Sequence, residues 1–107
     1  MEVIKKGNSM ALVMVRDRID LANSHLLKDQ LQELYDEGFQ IITLDFSHAT
    51  GIDSSGLGKL LLFQKKLKER NGELRIINIT SAYIKKMFKM IHLYKVINIE
   101  NETHENS

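Results

Sequence analysis

Three short apolar stretches, spaced by segments of helical period, constrain this chain more than any other feature. Met10–Val15 (Met-Ala-Leu-Val-Met-Val) and Ile41–Phe46 (Ile-Ile-Thr-Leu-Asp-Phe) are nearly continuous apolar runs. They are too short for independent helices and suit strands buried on both faces. Glu73–Ile79 alternates, with Leu74, Ile76 and Asn78 on one face and Arg75, Ile77 and Ile79 on the other, which predicts a third strand. Between these, Ala22–Glu37 places Leu27, Leu31, Leu34 and Tyr35 at i, i+4, i+7 and i+8, the stripe of an amphipathic helix. Gly38 is expected to cap its C-terminus. Leu57–Arg70 reads as a second helix whose basic end, Lys65, Lys66, Lys68 and Arg70, complements the negative end of the dipole. Asn71-Gly72 stops it. Thr80 or Ser81 is positioned to cap a third helix carrying Ile84, Met87, Phe88 and Ile91 at i, i+3, i+4 and i+7.

Two weaker strands flank this pattern. Glu2–Lys6 reads as a short edge strand closed by the turn residues Gly7-Asn8-Ser9, and Val96–Ile99 as a last short strand. Arg16–Asp20 reads as a charged connection. The order is β-β-α-β-α-β-α-β. Strands alternating with helices require crossover connections, which predicts an α/β fold with a mixed, mostly parallel β-sheet covered by helices. At 107 residues the chain makes one domain with one core. That domain is expected over residues 1–100, with 101–107 a polar, disordered C-terminal tail.

Composition narrows the function classes. A formal net charge of +1 gives no field to recruit nucleic acid or acidic membranes. The absence of cysteine excludes disulfides and thiolate chemistry. Met1–Lys6 lacks the apolar core of a signal peptide, and no run is long enough to span a bilayer. A cytoplasmic protein without membrane insertion is expected.

The segment Gly51-Ile52-Asp53-Ser54-Ser55-Gly56-Leu57-Gly58 is a small polar island between the second apolar strand and the second helix. In an open α/β sheet, ligands and partners engage at the carboxyl ends of strands, and this is such an end. Gly56 and Gly58 in a first helical turn each cost about 1 kcal/mol relative to alanine. Either Asp53 or Ser54 caps the helix while the glycines permit tight packing on the sheet, or the glycines admit another molecule.

Catalytic readings fail on spacing. Aligned to a phosphate-binding loop ending at Gly58-Lys59, Asp53 falls on the first glycine and Leu60 on the hydroxyl position. Neither Ser54 nor Ser55 has glycines two residues before and after, as a nucleophile elbow requires. His25, His48, His92 and His104 include no metal-binding i, i+4 pair. His48 reads as an exposed histidine, and Asp45 and Asp53 as strand-end and cap residues. No catalytic residue, metal or cofactor is expected. The consecutive Leu60-Leu61-Leu62-Phe63 circle the second helix, so at least one must face away from the core, as a broad core face or an exposed docking spot.

Asp53-Ser54-Ser55-Gly56-Leu57-Gly58, preceded by Leu44-Asp45-Phe46-Ser47, resembles the STAS domain family, and within it the stand-alone bacterial anti-sigma factor antagonists. The likeness runs from the first strand to about Ile99. It includes Ile19-Asp20, Asn71-Gly72-Glu73-Leu74 and Ala82–Leu93. The resemblance implies a single STAS-like domain and a partner-switching role. Ser54 would be phosphorylated by an anti-sigma factor with serine kinase activity. The unphosphorylated antagonist would bind that kinase and free a sigma factor, and a separate serine phosphatase would reset it. The implied partner-binding residues are Asp20, Asp53, Ser54, Ser55, Gly56 and Leu57. The chain departs from the family pattern at Arg18, where glycine is common, and at Gly51, where a bulky apolar residue is common. The alternative employment is a STAS scaffold subunit of a signalling assembly or of a lipid or anion transport system.

Overall fold

Ile41–Ile52, here β3, is the central strand of a five-stranded sheet. The computed structural model describes residues 1–100; the expected tail at 101–107 lies outside them. The remaining elements are β1 (Val3–Lys6), β2 (Met10–Ile19), α1 (Ser24–Asp36), α2 (Ser54–Lys68), β4 (Glu73–Ile77), α3 (Ala82–Met90), a 3-10 turn over Leu93–Lys95, and β5 (Asn98–Glu100). The strands lie in the order β1-β2-β3-β4-β5. β1 is antiparallel to β2, joined by a tight turn, and every other pair is parallel. The element order and mixed sheet are those expected.

Burial on both sheet faces is not observed. Ala11, Val13 and Val15 of β2, Ile42, Leu44 and Phe46 of β3, and Leu74 and Ile76 of β4 are buried. The intervening Leu12, Met14, Ile41, Thr43, Arg75 and Ile77 are only half-buried. The buried side chains join those of all three helices in one core, so the helix layer lies on one face. The continuous apolar runs arise because the second face, although open, still carries Leu12, Met14 and Ile41.

Helix ends follow local chemistry. Gly38 has φ +96°, and its N–H donates to Tyr35 O while Phe39 N–H donates to Leu34 O. This is a Schellman closure, which favours glycine at that position. Asn71, φ +64°, takes the equivalent place after α2, with Gly72 N–H donating to Leu67 O at 2.8 Å. Ser81 caps α3 by accepting from Ile84 N–H at 3.1 Å, whereas Thr80 donates to Ser47 O at 2.9 Å. The basic end of α2 also binds α1: Arg70 stacks over the Tyr35 ring at 3.5 Å and donates to Tyr35 O at 2.7 Å.

The charged stretch Arg16–Ile19 is strand rather than connection. β3 pairs with β4 only as far as Asp45↔Ile77, but with β2 as far as Ile19↔Ile52. β2 and β3 therefore continue past the sheet as a two-stranded arm, with register irregularities between Met14 and Arg16 and between Asp17 and Arg18. Asp17 is left-handed there, φ 60°. The arm keeps Arg16, Asp17 and Arg18 in solvent and buries Ile19, Ala49 and Ile52. It ends in two adjacent loops.

Candidate functional site

The two loops at the end of the arm are held together by one carboxylate. Asp53 is the N-cap of α2. Its Oδ1 accepts from Ser55 N–H at 2.9 Å and Gly56 N–H at 3.2 Å, and its Oδ2 accepts from Leu21 N–H at 3.1 Å. Its own N–H donates to Ile19 O at 3.0 Å. A helix start leaves N–H groups without intrahelical partners, and an aspartate at N-cap satisfies them. Here the same side chain also reaches across to the loop after β2. Asp20 is likewise engaged with its own loop, Oδ1 accepting from Ala22 N–H at 3.0 Å. Asn23 closes that loop, accepting from Asp20 N–H and donating to Arg18 O, each at 2.8 Å.

The residues expected at the site thus occupy one end of the sheet with different exposures. Asp20, Asp53, Ser55 and Leu57 are half-buried, Gly56 is buried, and Ser54 is exposed. Leu57 packs against the core. The Ser54 hydroxyl makes no hydrogen bond among the described residues. α2 begins at Ser54 itself, three residues before the sequence pattern starts it, because the Asp53 cap supplies the first turn.

The two glycines differ. A Cβ on Gly56 would stand 2.6 Å from Ile52 Cγ1 and 2.8 Å from Ile19 Cγ2, so this glycine lets α2 sit directly on the arm. A Cβ on Gly58 would meet nothing within 4 Å. Tight packing accounts for Gly56 only. Gly58 lies in solvent on the stripe Ser54, Gly58, Leu61, Leu62, all exposed, at i, i+4, i+7 and i+8 of α2. Leu61 and Leu62 are 43% and 42% exposed, while Leu60 and Phe63 are buried. Leu21, whose N–H Asp53 holds, is 79% exposed. It is a docking candidate the sequence did not single out, since one leucine in a polar loop has no period to mark it.

Arg18 and Gly51 are cross-strand partners. A Cβ on Gly51 would lie 2.9 Å from the Arg18 guanidinium. The long side chain on β2 therefore occupies the space left by the missing one on β3. What the sequence presents as two separate departures is one exchange of bulk across a strand pair.

His48 lies on β3 paired with Arg16, its Nδ1 3.1 Å from Ser47 Oγ, and it makes no hydrogen bond to Ser54 among the described residues. Asp45 is buried, accepting from Ser47 N–H at 2.8 Å and Asn78 Nδ2 at 3.3 Å, which is structural work. Among the described residues no group of three His, Cys, Asp or Glu side chains is placed to hold a metal, and no helix is long and apolar enough to cross a membrane.

A mixed sheet with helices on one face, and an exposed serine at an aspartate-capped helix start beside the loop after β2, define a small α/β domain. The STAS domain model matches residues 2–106, and the chain belongs to the STAS domain family. Solved structures share the fold. A putative anti-sigma factor antagonist from Thermotoga maritima superposes with a TM-score of 0.84 at 18% identity, covering 96% of this chain and 86% of its own. The unphosphorylated anti-sigma factor antagonist SpoIIAA gives 0.73 at 16% identity, covering 97% and 90%. The phosphorylated form of the Bacillus cell fate determinant SpoIIAA gives 0.73 at 17% identity, covering 97% and 92%.

Proposed function

We propose that this chain is an anti-sigma factor antagonist in a partner-switching pathway, phosphorylated at Ser54. In this reading an anti-sigma factor with serine kinase activity binds the unphosphorylated protein and later modifies it, and a serine phosphatase restores it. The observation that carries the reading is the exposed Ser54 hydroxyl at the head of a bare stripe, Gly58, Leu61 and Leu62, beside the exposed Leu21. A kinase needs a free hydroxyl on a surface it can approach closely, and a binding partner needs apolar area to desolvate. Both lie on one face. The family and the solved antagonists of the same fold support the same role.

The geometry supports a switch by repulsion. Phosphorylation adds about −1.5 to −2 charges. Anions are ordinarily favoured at a helix start, but Asp53 Oδ1 already takes the Ser55 and Gly56 N–H groups. A phosphoryl group on Ser54 would compete with that carboxylate for the same donors and repel it. In a closed interface the phosphate would also be desolvated without a partner, a penalty of several kcal/mol. A loss of about 4 kcal/mol weakens binding roughly a thousandfold. Catalysis has no part in this; the chain acts by binding and release.

The test uses wild type, Ser54→Ala and Ser54→Asp as baits, with incubation in ATP and phosphosite mapping by mass spectrometry. Capture of an anti-sigma kinase by wild type and Ser54→Ala but not Ser54→Asp, with phosphate only at residue 54, is expected. Equal capture by all three, or phosphate at Ser55 alone, would contradict the reading.

A further inference from the structure

Two helices carry outer rows of the same spacing and opposite charge. Leu27, Leu31 and Leu34 turn one side of α1 into the core, and Ile84 and Phe88 do the same for α3. The solvent row of α1 is then Leu26, Asp29 and Glu33, and that of α3 is Tyr83, Lys86 and Met90, all six exposed. Each row runs i, i+3 and i+7, which is one helix face. The α1 row bounds a shallow groove of about 340 Å³, closed by Met1 and Gln30, and Leu26 in it is 55% exposed. The α3 row ends in an apolar knob, Met90 at 70% exposure followed by the exposed Ile91, with Lys89 alongside. Residues 74–99 contain five basic residues and no aspartate or glutamate, whereas α1 holds Asp29, Glu33 and Asp36 against Lys28. Among the described residues, none of Asp29, Glu33, Lys86 and Lys89 makes an ion pair.

An exposed apolar knob with a basic flank complements an apolar groove with an acidic flank, and this chain holds both. We propose that the α3 knob of one copy docks in the α1 groove of a second copy of this chain. Met90 and Ile91 lie against Leu26 and Met1, while Lys86 and Lys89 meet Asp29 and Glu33. Two α3 faces would set lysine against lysine, and two α1 faces carboxylate against carboxylate, so like surfaces do not pair. A knob that fits a groove elsewhere on the same molecule makes a head-to-tail contact. Each side offers only a few residues, where a standard interface takes about 20–30. The association is therefore weak, with a dissociation constant on the order of 100 μM. Ser54 and its bare stripe lie on α2, in neither surface, so the contact is separate from the proposed switch.

Sedimentation equilibrium of the full chain from about 10 μM to about 1 mM tests the contact. Wild type should gain mass with concentration, and less so when salt is raised from about 0.05 to 0.5 M. Lys86→Glu with Lys89→Glu should weaken association about a hundredfold, and Asp29→Lys with Glu33→Lys by as much, leaving each variant monomeric alone. An equimolar mixture of the two should associate again, because each keeps the surface that the other has lost. That recovery also shows both variants folded. If thermal melts show either charge variant unfolded, Met90→Ser and Leu26→Ser carry the test, each expected to lower association. Lysine-dependent co-sedimentation with phosphatidylglycerol vesicles by a chain that stays monomeric would assign the α3 surface to a membrane and overturn the proposal. So would a monomer at every concentration, association indifferent to salt, a charge variant that associates as wild type does, or a mixture of folded variants that stays monomeric.

Discussion

Asp53 does more at the site than any neighbouring side chain, because one carboxylate joins the start of α2 to the loop after β2. Removing an N-cap costs about 0.5–2 kcal/mol, and here Leu21 N–H is released as well. Asp53→Ala should therefore lower stability by about 2 kcal/mol in denaturant titration. Amide exchange at Leu21, Ser55 and Gly56 should accelerate beyond the global change. Gly58 makes the opposite case. Its position within α2 disfavours glycine by about 1 kcal/mol, and nothing in the domain occupies the space a methyl would take. Gly58→Ala should raise stability by up to about 1 kcal/mol and weaken binding of the proposed anti-sigma partner. A stabilised variant that binds as wild type does would show that the bare stripe is not the contact. Asp53, Ser54 and the glycines were legible in the sequence because small polar residues interrupt two apolar segments. Which glycine packs and which stays bare was not, since that depends on Ile19 and Ile52 arriving from another strand.

At the scale of elements, the β2–β3 arm explains where the sequence pattern misled. Arg16–Arg18 look like a loop because they are charged and two register irregularities break the alternation of the arm. Pairing across the strands makes them strand despite their polarity, a tertiary preference overriding a local one. Gln64 was hidden for a different reason. It is a polar residue at a core position of α2, and only the fold shows its purpose. Its side chain donates to Val96 O and accepts from Leu74 N–H, both at 2.8 Å, tying α2 to β4 and to the approach to β5. Gln64→Leu would strand both backbone groups, each at about 1–3 kcal/mol. A loss of about 2–4 kcal/mol in chemical denaturation is expected; a neutral change would mean that water satisfies these groups. Glu73 also secures this edge. The hydrogen bond from Arg75, followed by one from Asn98, holds its carboxyl below the usual range against an opposing effect of burial. Its stabilisation is complete above the unfolded carboxylate pKa of about 4.3 and is lost as pH falls through the lower folded value. Glu73→Gln should accordingly flatten the acid limb of the stability curve in that window and leave its shape above pH 6 unchanged.

For the molecule as a whole, the sheet separates the core from the site proposed here. Helices on one face supply the core, and the β2–β3 arm carries two loops clear of it, so a charge placed at the exposed Ser54 meets solvent before it meets the fold. In the proposed switch, that separation would let modification alter binding without unfolding the domain. The α/β class and strand order were readable because apolar runs and helical stripes alternate cleanly. The helix-free face was not, because Leu12, Met14 and Ile41 make half-buried strands look fully buried. The central claim rests on one hydroxyl. Protein carrying phosphoserine at position 54 by genetic encoding can be compared with the unmodified chain in calorimetric titration against the captured anti-sigma factor, with thermal melts alongside. The account predicts a binding constant weaker by about a thousandfold with a melting temperature changed by only a few degrees. Equal affinity of the two forms would contradict it, as would a loss of binding explained by unfolding.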